Sequence, residues 1–593
     1  MELQTLNDIF FNIVDRRKEQ LMLARRATTW LPISSQEFYR NVAGVARALR
    51  NWGIVKGDRL AILSENRPEW AVADFASLLL GATVVPIYTT LTAQQTSYIL
   101  RDSGAKLIFV SSADQVKKVR AIKDQTAVQR IVLMDSVAGA GPFHMREMMH
   151  KGPSGRDLEL EANARLIMPN DIASIIYTSG TTGISKGVQL THGNLTSNVT
   201  NSLTEFDLDD RHISVSFLPL SHVTARHADI ALLNRGVTLA YCPFFEDLPE
   251  TLLEVRPTLF IAVPRVYEKI FLKVEKEVCG KAKHAIYRWA RTVGDMHRPT
   301  ILRGSIPDSL NWKIADRLVF SKVRASMGGR VEIFVSGGAP LGKELAEWYA
   351  SIGIRIHEGY GLTETSPVIA INTPQAHKVG TVGRPLPNVE VRIADDSEIL
   401  VRGPSVFREY WNRPDETRDA FMEGWFKTGD IGNLDEDGFL TVTDRKKDLL
   451  KTSGGKFIAP QPVENSLKLN ALIGTAVVVG DRRKFASVLI SPHFPLLEEW
   501  AHTNDVNFST RESLVSHPKV KALYEDIVAE VNRGLARYET LKKILLVPDE
   551  FTAIDGTLTP TLKLRRRIVE ERYRDQINSL YDEANHNSER LHT

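Results

Sequence analysis

Cysteine is nearly missing from this sequence: Cys242 and Cys279 are its only two among 593 residues. They lie far apart and in no metal-ligand spacing, so a disulfide framework is excluded and a reducing interior is the simpler setting. Low-complexity tracts are absent, as are internal repeats at solenoid spacing. An excess of one charge sign is missing too, since 75 Lys and Arg face 72 Asp and Glu, a net +3. That balance gives no electrostatic case for nucleic acid as a main partner. The opening residues Met1-Glu2-Leu3-Gln4 carry neither a basic n-region nor an apolar h-region, so no secretory signal is expected.

Long hydrophobic runs are scarce as well. From Phe75 to Leu100 there is no Asp, Glu, Lys or Arg. A spanning helix, however, needs roughly 20 predominantly apolar residues. Gly81, Pro86 and the polar run Thr89 to Ser97 break this stretch into a helix end, a short strand and a loop. The expectation is a soluble, cytoplasmic chain with no more than weak, reversible contact with a membrane surface.

What is present has ordinary proportions, 43% hydrophobic and 25% charged, over a length that exceeds one compact core. Alternating strand-like and helical patterns argue for α/β layers. Ser34 and Glu37 have capping-box spacing ahead of a helix from Ser35 to Trp52, with Phe38, Val42, Val45 and Leu49 on one face and Gly53 at its end. Apolar runs at Ile172 to Tyr177, Ser214 to Leu218, Leu259 to Val263 and Val331 to Val335 each deliver a loop rich in Gly, Thr or Pro. Ligands in open α/β sheets bind at such strand ends. After about residue 447 the texture changes: Ala476 to Val479 and Ser487 to Ile490 read as a hairpin. Val520, Leu523, Ile527, Val531 and Leu535 mark a helix face.

The strongest chemical signal is Tyr177-Thr178-Ser179-Gly180-Thr181-Thr182-Gly183-Ile184-Ser185-Lys186-Gly187. Its glycines let backbone N–H groups form an anion-binding nest, and its hydroxyls and Lys186 add donors suited to a polyphosphate. It is not a Walker loop, because Lys186 follows Ser185 and precedes Gly187.

That loop resembles the signature of the adenylate-forming enzymes, the superfamily of acyl-CoA synthetases, luciferases and peptide-synthetase adenylation domains. Further motifs follow in the family's order from about residue 170 to 570. Gly337-Gly338-Ala339-Pro340 resembles the loop along the adenine. In Gly359-Tyr360-Gly361-Leu362-Thr363-Glu364-Thr365 the resemblance implies that Tyr360 packs on the base and that Glu364, with Thr181, holds Mg2+. Asp430, in Gly424-Trp425-Phe426-Lys427-Thr428-Gly429-Asp430, would accept both ribose hydroxyls. Asp444-Arg445-Lys446-Lys447-Asp448 resembles the hinge, with Arg445 near the ribose and Lys447 as the pivot. Lys563, in Pro560-Thr561-Leu562-Lys563-Leu564, would be the catalytic lysine, and His222, in Leu218-Pro219-Leu220-Ser221-His222, would stand near the substrate carboxylate.

The chemistry suits these residues. A carboxylate attacking a charged α-phosphate needs Mg2+ and fixed cations to screen repulsion. Glu364 is a hard oxygen ligand, Asp430 can accept two hydroxyls, and Lys563 is a mobile point charge. Read alone, each is a solvated surface charge, His222 a satisfied buried histidine, and Arg565, Arg566 and Arg567 a solvated or membrane-facing basic helix. His192 reads as the start of a helix. The Asp444 to Asn465 segment and the basic, helix-rich stretch Lys281 to Arg330 resemble the long-chain members.

The resemblance therefore implies an α/β enzyme with a large multi-layer N-terminal domain, residues 1–446, and a small mobile α+β C-terminal domain, residues 447–593. Fatty acid, ATP and coenzyme A would be its substrates, Mg2+ its cofactor, and a monomer or homodimer its state. The rivals are loading of a carrier-protein pantetheine arm, luciferase-like oxidation, and a scaffold with a dead site.

Overall fold

A computed structural model describes residues 3–135, 143–178, 185–278, 280–453, 456–552, 555–559 and 564–589, with side chains to Tyr581. The first expected helix runs Ser35–Asn51. Ser34 Oγ accepts the Glu37 N–H at 3.1 Å, Trp52 closes the far end, and Gly53 takes φ +80°. A residue with a Cβ rarely adopts that angle, which is why glycine ends this helix. Phe38, Val42, Val45 and Leu49 are all fully buried.

The fold is α/β. An eight-stranded sheet runs in the order Glu409–Tyr410, Lys186–Thr191, Ile172–Thr178, Thr83–Ile87, Arg59–Leu63, Leu107–Val110, Arg130–Leu133, Phe143–His144. A nine-stranded sheet carries Ile356–Gly361, Ile333–Ser336, Leu259–Ala262, Ile213–Ser216 and Thr238–Tyr241 at its centre. The helices Leu6–Asp15, Pro68–Leu79, His192–Asn201 and Val223–Arg235 share one apolar core with both sheets. The helix at His192 is capped by Thr191 and Asn194, as expected of that histidine's place. Four of the central strands are parallel neighbours, so their carboxyl ends meet along one edge.

Two expectations change. The strand read as Ser214 to Leu218 stops at Ser216, because the Asn66 side chain captures the Leu218 C=O (2.8 Å) and the Leu220 N–H (3.1 Å). The uncharged stretch from Phe75 holds two helices, not one, around the strand Thr83–Ile87. Thr92 and Gln95, read as loop, are the reciprocal cap of the helix Ala93–Ser103. Among the described residues no helix is long and apolar enough to cross a membrane.

An antiparallel five-stranded sheet follows, containing Glu398–Arg402, Trp425–Leu434 and Leu440–Arg445. Beyond it, Ile473–Val479 and Ala486–Pro492 form the expected hairpin, with Leu541–Leu546 parallel to its second strand. The helix Pro518–Asn532 buries Val520, Tyr524 and Val528 on this sheet, in a core drawn from Leu450 onward.

Candidate active site

The phosphate-loop motif spans a hairpin whose last paired residues are Thr178 and Lys186. Ser179, Gly180, Thr181, Thr182 and Gly183 lie outside the described residues, but the base of the loop is firmly held. Tyr98 donates to the Ser185 C=O (2.9 Å), and Tyr177 donates to Asp102 (2.6 Å). Trp411 N–H reaches the Gly187 C=O at 2.7 Å. A Cβ on Gly187 would stand 2.7 Å from Ile175 Cγ2, so this glycine is needed for packing.

Lys186 leaves the hairpin with its ammonium 5.2 Å from the centre of the Tyr410 ring, a cation–π contact. The Tyr410 hydroxyl donates to Glu364 Oε1 at 2.9 Å. Burial and then the Glu364 charge hold this phenol well above its ordinary pKa, so it stays a donor. Tyr410 thus joins the two predicted phosphate-side residues. Sequence reasoning missed it; its signal was the aromatic pair Tyr410-Trp411 in a polar segment. Glu364 presents a hard carboxylate oxygen held by the Tyr410 hydroxyl, a donor that fits a Mg2+ completed by phosphate oxygens and water. Among the described residues no group of three or more His, Cys, Asp or Glu gathers to hold a metal without such a ligand.

The cluster of Asp430, Arg445 and Tyr360 is set by strand register. Trp425–Leu434 and Leu440–Arg445 are antiparallel, with Asp430 opposite Arg445. Arg445 Nε lies 2.8 Å from Asp430 Oδ1, and the Tyr360 hydroxyl donates to Oδ2 at 2.7 Å. Asp430 is only 4% exposed. Burial opposes the Arg445 charge, but Asp430, Tyr360 and Glu364 outweigh it and raise its pKa. Burial and then Asp430 push the Tyr360 phenol well above its usual value.

Gly337, Gly338, Ala339 and Pro340 follow the strand Ile333–Ser336, and a Cβ on Gly337 would lie 3.6 Å from the Gly359 C=O. The Gly337-Gly338-Ala339-Pro340 motif therefore lies against the backbone leading to Tyr360. Gly361 cannot be anything larger, because its Cβ would fall 1.8 Å from the Pro367 C=O. Thr363 opens the short 3-10 turn Thr363–Thr365 that carries Glu364. Glu358, also missed, accepts the Leu341 N–H at 3.2 Å and ties the two segments together; burial raises its pKa to about 7. His222 sits at the same sheet edge and caps the helix Val223–Arg235, its Nδ1 accepting the Thr224 N–H at 3.2 Å. It is half-buried.

At the hinge motif, Lys447 is exposed in a turn closed by the Asp448 N–H and the Arg445 C=O at 3.0 Å. Its neighbours are anchored on opposite sides. Lys446 pairs with Asp396 (2.6 Å) and Glu398 (2.7 Å), and Asp444 accepts the Gln461 N–H (3.0 Å) in the first turn of the helix Pro460–Lys468. Lys563 lies outside the described residues. Of the arginines after it, Arg566 turns inward and not to solvent or membrane, donating to the Val478 C=O and Glu464 Oε1, both at 2.6 Å.

The chain matches the AMP-binding enzyme family over residues 14–411 and the AMP-binding enzyme C-terminal domain over residues 447–585. A long-chain fatty-acid–CoA ligase of Mycobacterium bovis, FadD15, is 38% identical over 93% of this chain and 93% of its own. The long-chain fatty-acid–CoA ligase ACSBG2 of Xenopus laevis is 32% identical over 98% of this chain and 84% of its own. Among solved structures, the anthranilate CoA ligase AuaEII in complex with anthranoyl-AMP aligns over 96% of this chain and 98% of its own, with TM-score 0.73 and 19% identity. The adenylation domain of a carboxylate reductase from Mycobacterium chelonae aligns over 98% and 91%, with TM-score 0.75 and 23% identity. At those identities the likeness of structure speaks for the fold alone.

Proposed function

The chain belongs to the family of AMP-binding enzymes, and from that premise we propose that it is a long-chain fatty acid–CoA ligase. It joins a fatty carboxylate to ATP as an acyl-adenylate, releasing pyrophosphate, then passes the acyl group to coenzyme A and releases AMP. The observation that carries this reading is the identity, 38% over 93% of both chains, with a ligase of that name, together with the intact chain of contacts Lys186–Tyr410–Glu364 and Tyr360–Asp430–Arg445.

In this reading Lys186 and the hairpin loop bind the β- and γ-phosphates. Mg2+, when bound, screens the phosphate charge and polarises the α-phosphate for attack. Glu364, oriented by Tyr410, and Thr181 hold that ion. Tyr360 covers one face of the base, and the Gly337–Pro340 loop runs along its edge. The Asp430 carboxylate takes the ribose hydroxyls, with Arg445 fixing its orientation. His222 stands by the incoming carboxylate, and Lys563 bridges phosphate and carboxyl oxygens as charge shifts. Residues 447–593 then pivot at Lys447, because Lys563 must leave before a thiol can approach the acyl carbon. A cytosolic enzyme with weak, reversible membrane contact fits this chemistry.

Carrier-protein loading is the second reading, since an acyl-adenylate can pass its acyl group to any pantetheine thiol. The test is acid-dependent pyrophosphate release across acids from acetate to oleate, followed by mass detection of the thioester on coenzyme A or carrier protein. Activity should rise with acyl length, each buried methylene contributing ~0.8 kcal/mol. Faster turnover of acetate or an aromatic acid than of palmitate refutes the long-chain assignment, and thioester on the carrier alone refutes the acceptor.

A further inference from the structure

The basic stretch Lys281 to Arg330 has no part in the chemistry above, yet its charge is strongly one-sided. It holds eleven Lys and Arg against three Asp and Glu, a net +8. The remaining residues hold 64 basic against 69 acidic, a net −5, so the near-neutral total conceals a concentrated positive field.

The segment forms the helix Lys281–Leu302 and a second continuous helical run built from Leu310–Ala315, Asp316–Phe320 and Ser321–Ala325. Its inner face is fully used. Ala290, Val293, Trp312, Ala315 and Phe320 enter the core, and a Cβ on Gly294 would lie 2.1 Å from the Ser351 C=O. The platform is therefore clamped to the helix Lys343–Ser351.

Its outer face is unusual. Ile286, Trp289, Met296, Ile306, Leu310, Ile314 and Leu318 are exposed, the last five by 41% to 85%. These seven are over a third of the 19 large apolar side chains exposed among the described residues, in a window of 33 positions. Leu310, Ile314 and Leu318 recur every fourth residue, which lines them up as one ridge on the helical run. Arg317 and Lys322 flank the ridge and Arg288 flanks Trp289; none of the three makes an ion pair among the described residues. An apolar ridge bordered by unpaired cations matches a bilayer interface, where apolar side chains enter the acyl boundary and cations meet anionic headgroups. A protein partner would leave those cations to be matched one by one, whereas a lipid surface supplies anions at every position.

We propose that the helical platform Lys281–Ala325 docks the protein on an anionic lipid bilayer. Its use, to collect fatty acid where fatty acid partitions, rests on the ligase reading; the docking itself does not.

Flotation of the full chain with vesicles tests this. The protein should float with phosphatidylcholine vesicles containing one quarter phosphatidylglycerol, and at least tenfold less with pure phosphatidylcholine or in 1 M salt. The triple variants Ile306→Asp/Leu310→Asp/Leu318→Asp and Arg288→Glu/Arg317→Glu/Lys322→Glu should each lose binding at least tenfold. Leu166→Asp, at an exposed apolar residue elsewhere, should float as the wild type does. Pyrophosphate release with the soluble acid octanoate, and the melting temperature, should be unchanged in all of them. Wild-type protein that does not float, or triple variants that float as well as it does, overturns the proposal. So does a wild-type dimer that these substitutions split, which assigns the ridge to a second copy. Failure of the ligase reading would appear only as absent pyrophosphate release and would leave flotation intact.

Discussion

Tyr410→Phe is the sharpest test of the site, because it removes one atom and leaves the rest in place. The phenyl ring keeps the Lys186 ammonium at its face and its packing on Phe407, whose ring centre is 4.7 Å away. What is lost is the 2.9 Å hydrogen bond to Glu364 Oε1. Hydrogen bonds to charged groups contribute ~1.5–3 kcal/mol. At about 1.36 kcal/mol per tenfold in rate, acid-dependent pyrophosphate release should fall about 10- to 150-fold. The Mg2+ concentration giving half-maximal rate should rise, because a carboxylate without its donor is less fixed. Thioester formation from pre-formed acyl-adenylate should be little changed, since pyrophosphate and its ion have already left. The assay is the two half-reactions measured separately over a Mg2+ titration. Unchanged pyrophosphate release, or equal loss in both half-reactions at unchanged Mg2+ dependence, would refute the assigned role of Tyr410.

Three further outcomes are expected. Lys563→Ala should lose several orders of magnitude in pyrophosphate release yet make thioester from acyl-adenylate at a near-normal rate; equal losses would move the catalytic lysine elsewhere. Lys447→Pro fixes φ near −65° and should cripple thioester formation with adenylation and melting temperature intact. Proportional loss of both half-reactions would take Lys447 out of the mechanism. Glu358, raised by burial from an ordinary carboxylate value to about 7, binds a proton in the native state that the unfolded chain has released between about pH 4.5 and 7. The stability that Glu358 contributes is therefore full below pH 4.5 and lost as pH rises to 7. The melting temperature of Glu358→Gln relative to wild type should climb through that window, by up to roughly 3 kcal/mol equivalent. A difference that stays flat with pH would show that Glu358 is not a buried acid.

The helix Ser35–Asn51 and its two ends were legible because they rest on local rules. Ser34 caps and Gly53 ends a helix whatever surrounds them, and Gly361 announces a close backbone approach without naming the partner. The strand from Ser214 was read two residues too long because its end is set by Asn66, about 150 residues away. The inward turn of Arg566 was hidden for the same reason, since Glu464 is distant in sequence.

The sequence by itself determined which groups are on offer: a glycine- and hydroxyl-rich loop, carboxylates at Glu364 and Asp430 and a lysine at position 563, whose roles came from the family resemblance. Residue type suffices for that much because the donor and acceptor groups of a side chain are fixed by its chemistry. Tertiary structure alone decided that Tyr410 stands between Lys186 and Glu364. Its strand pairs with Val188, more than 200 residues earlier in the chain, and that pairing is fixed by sheet closure, which no local pattern encodes. Only the fold, likewise, separates the arginines that are consumed by packing from those left facing solvent beside an apolar ridge.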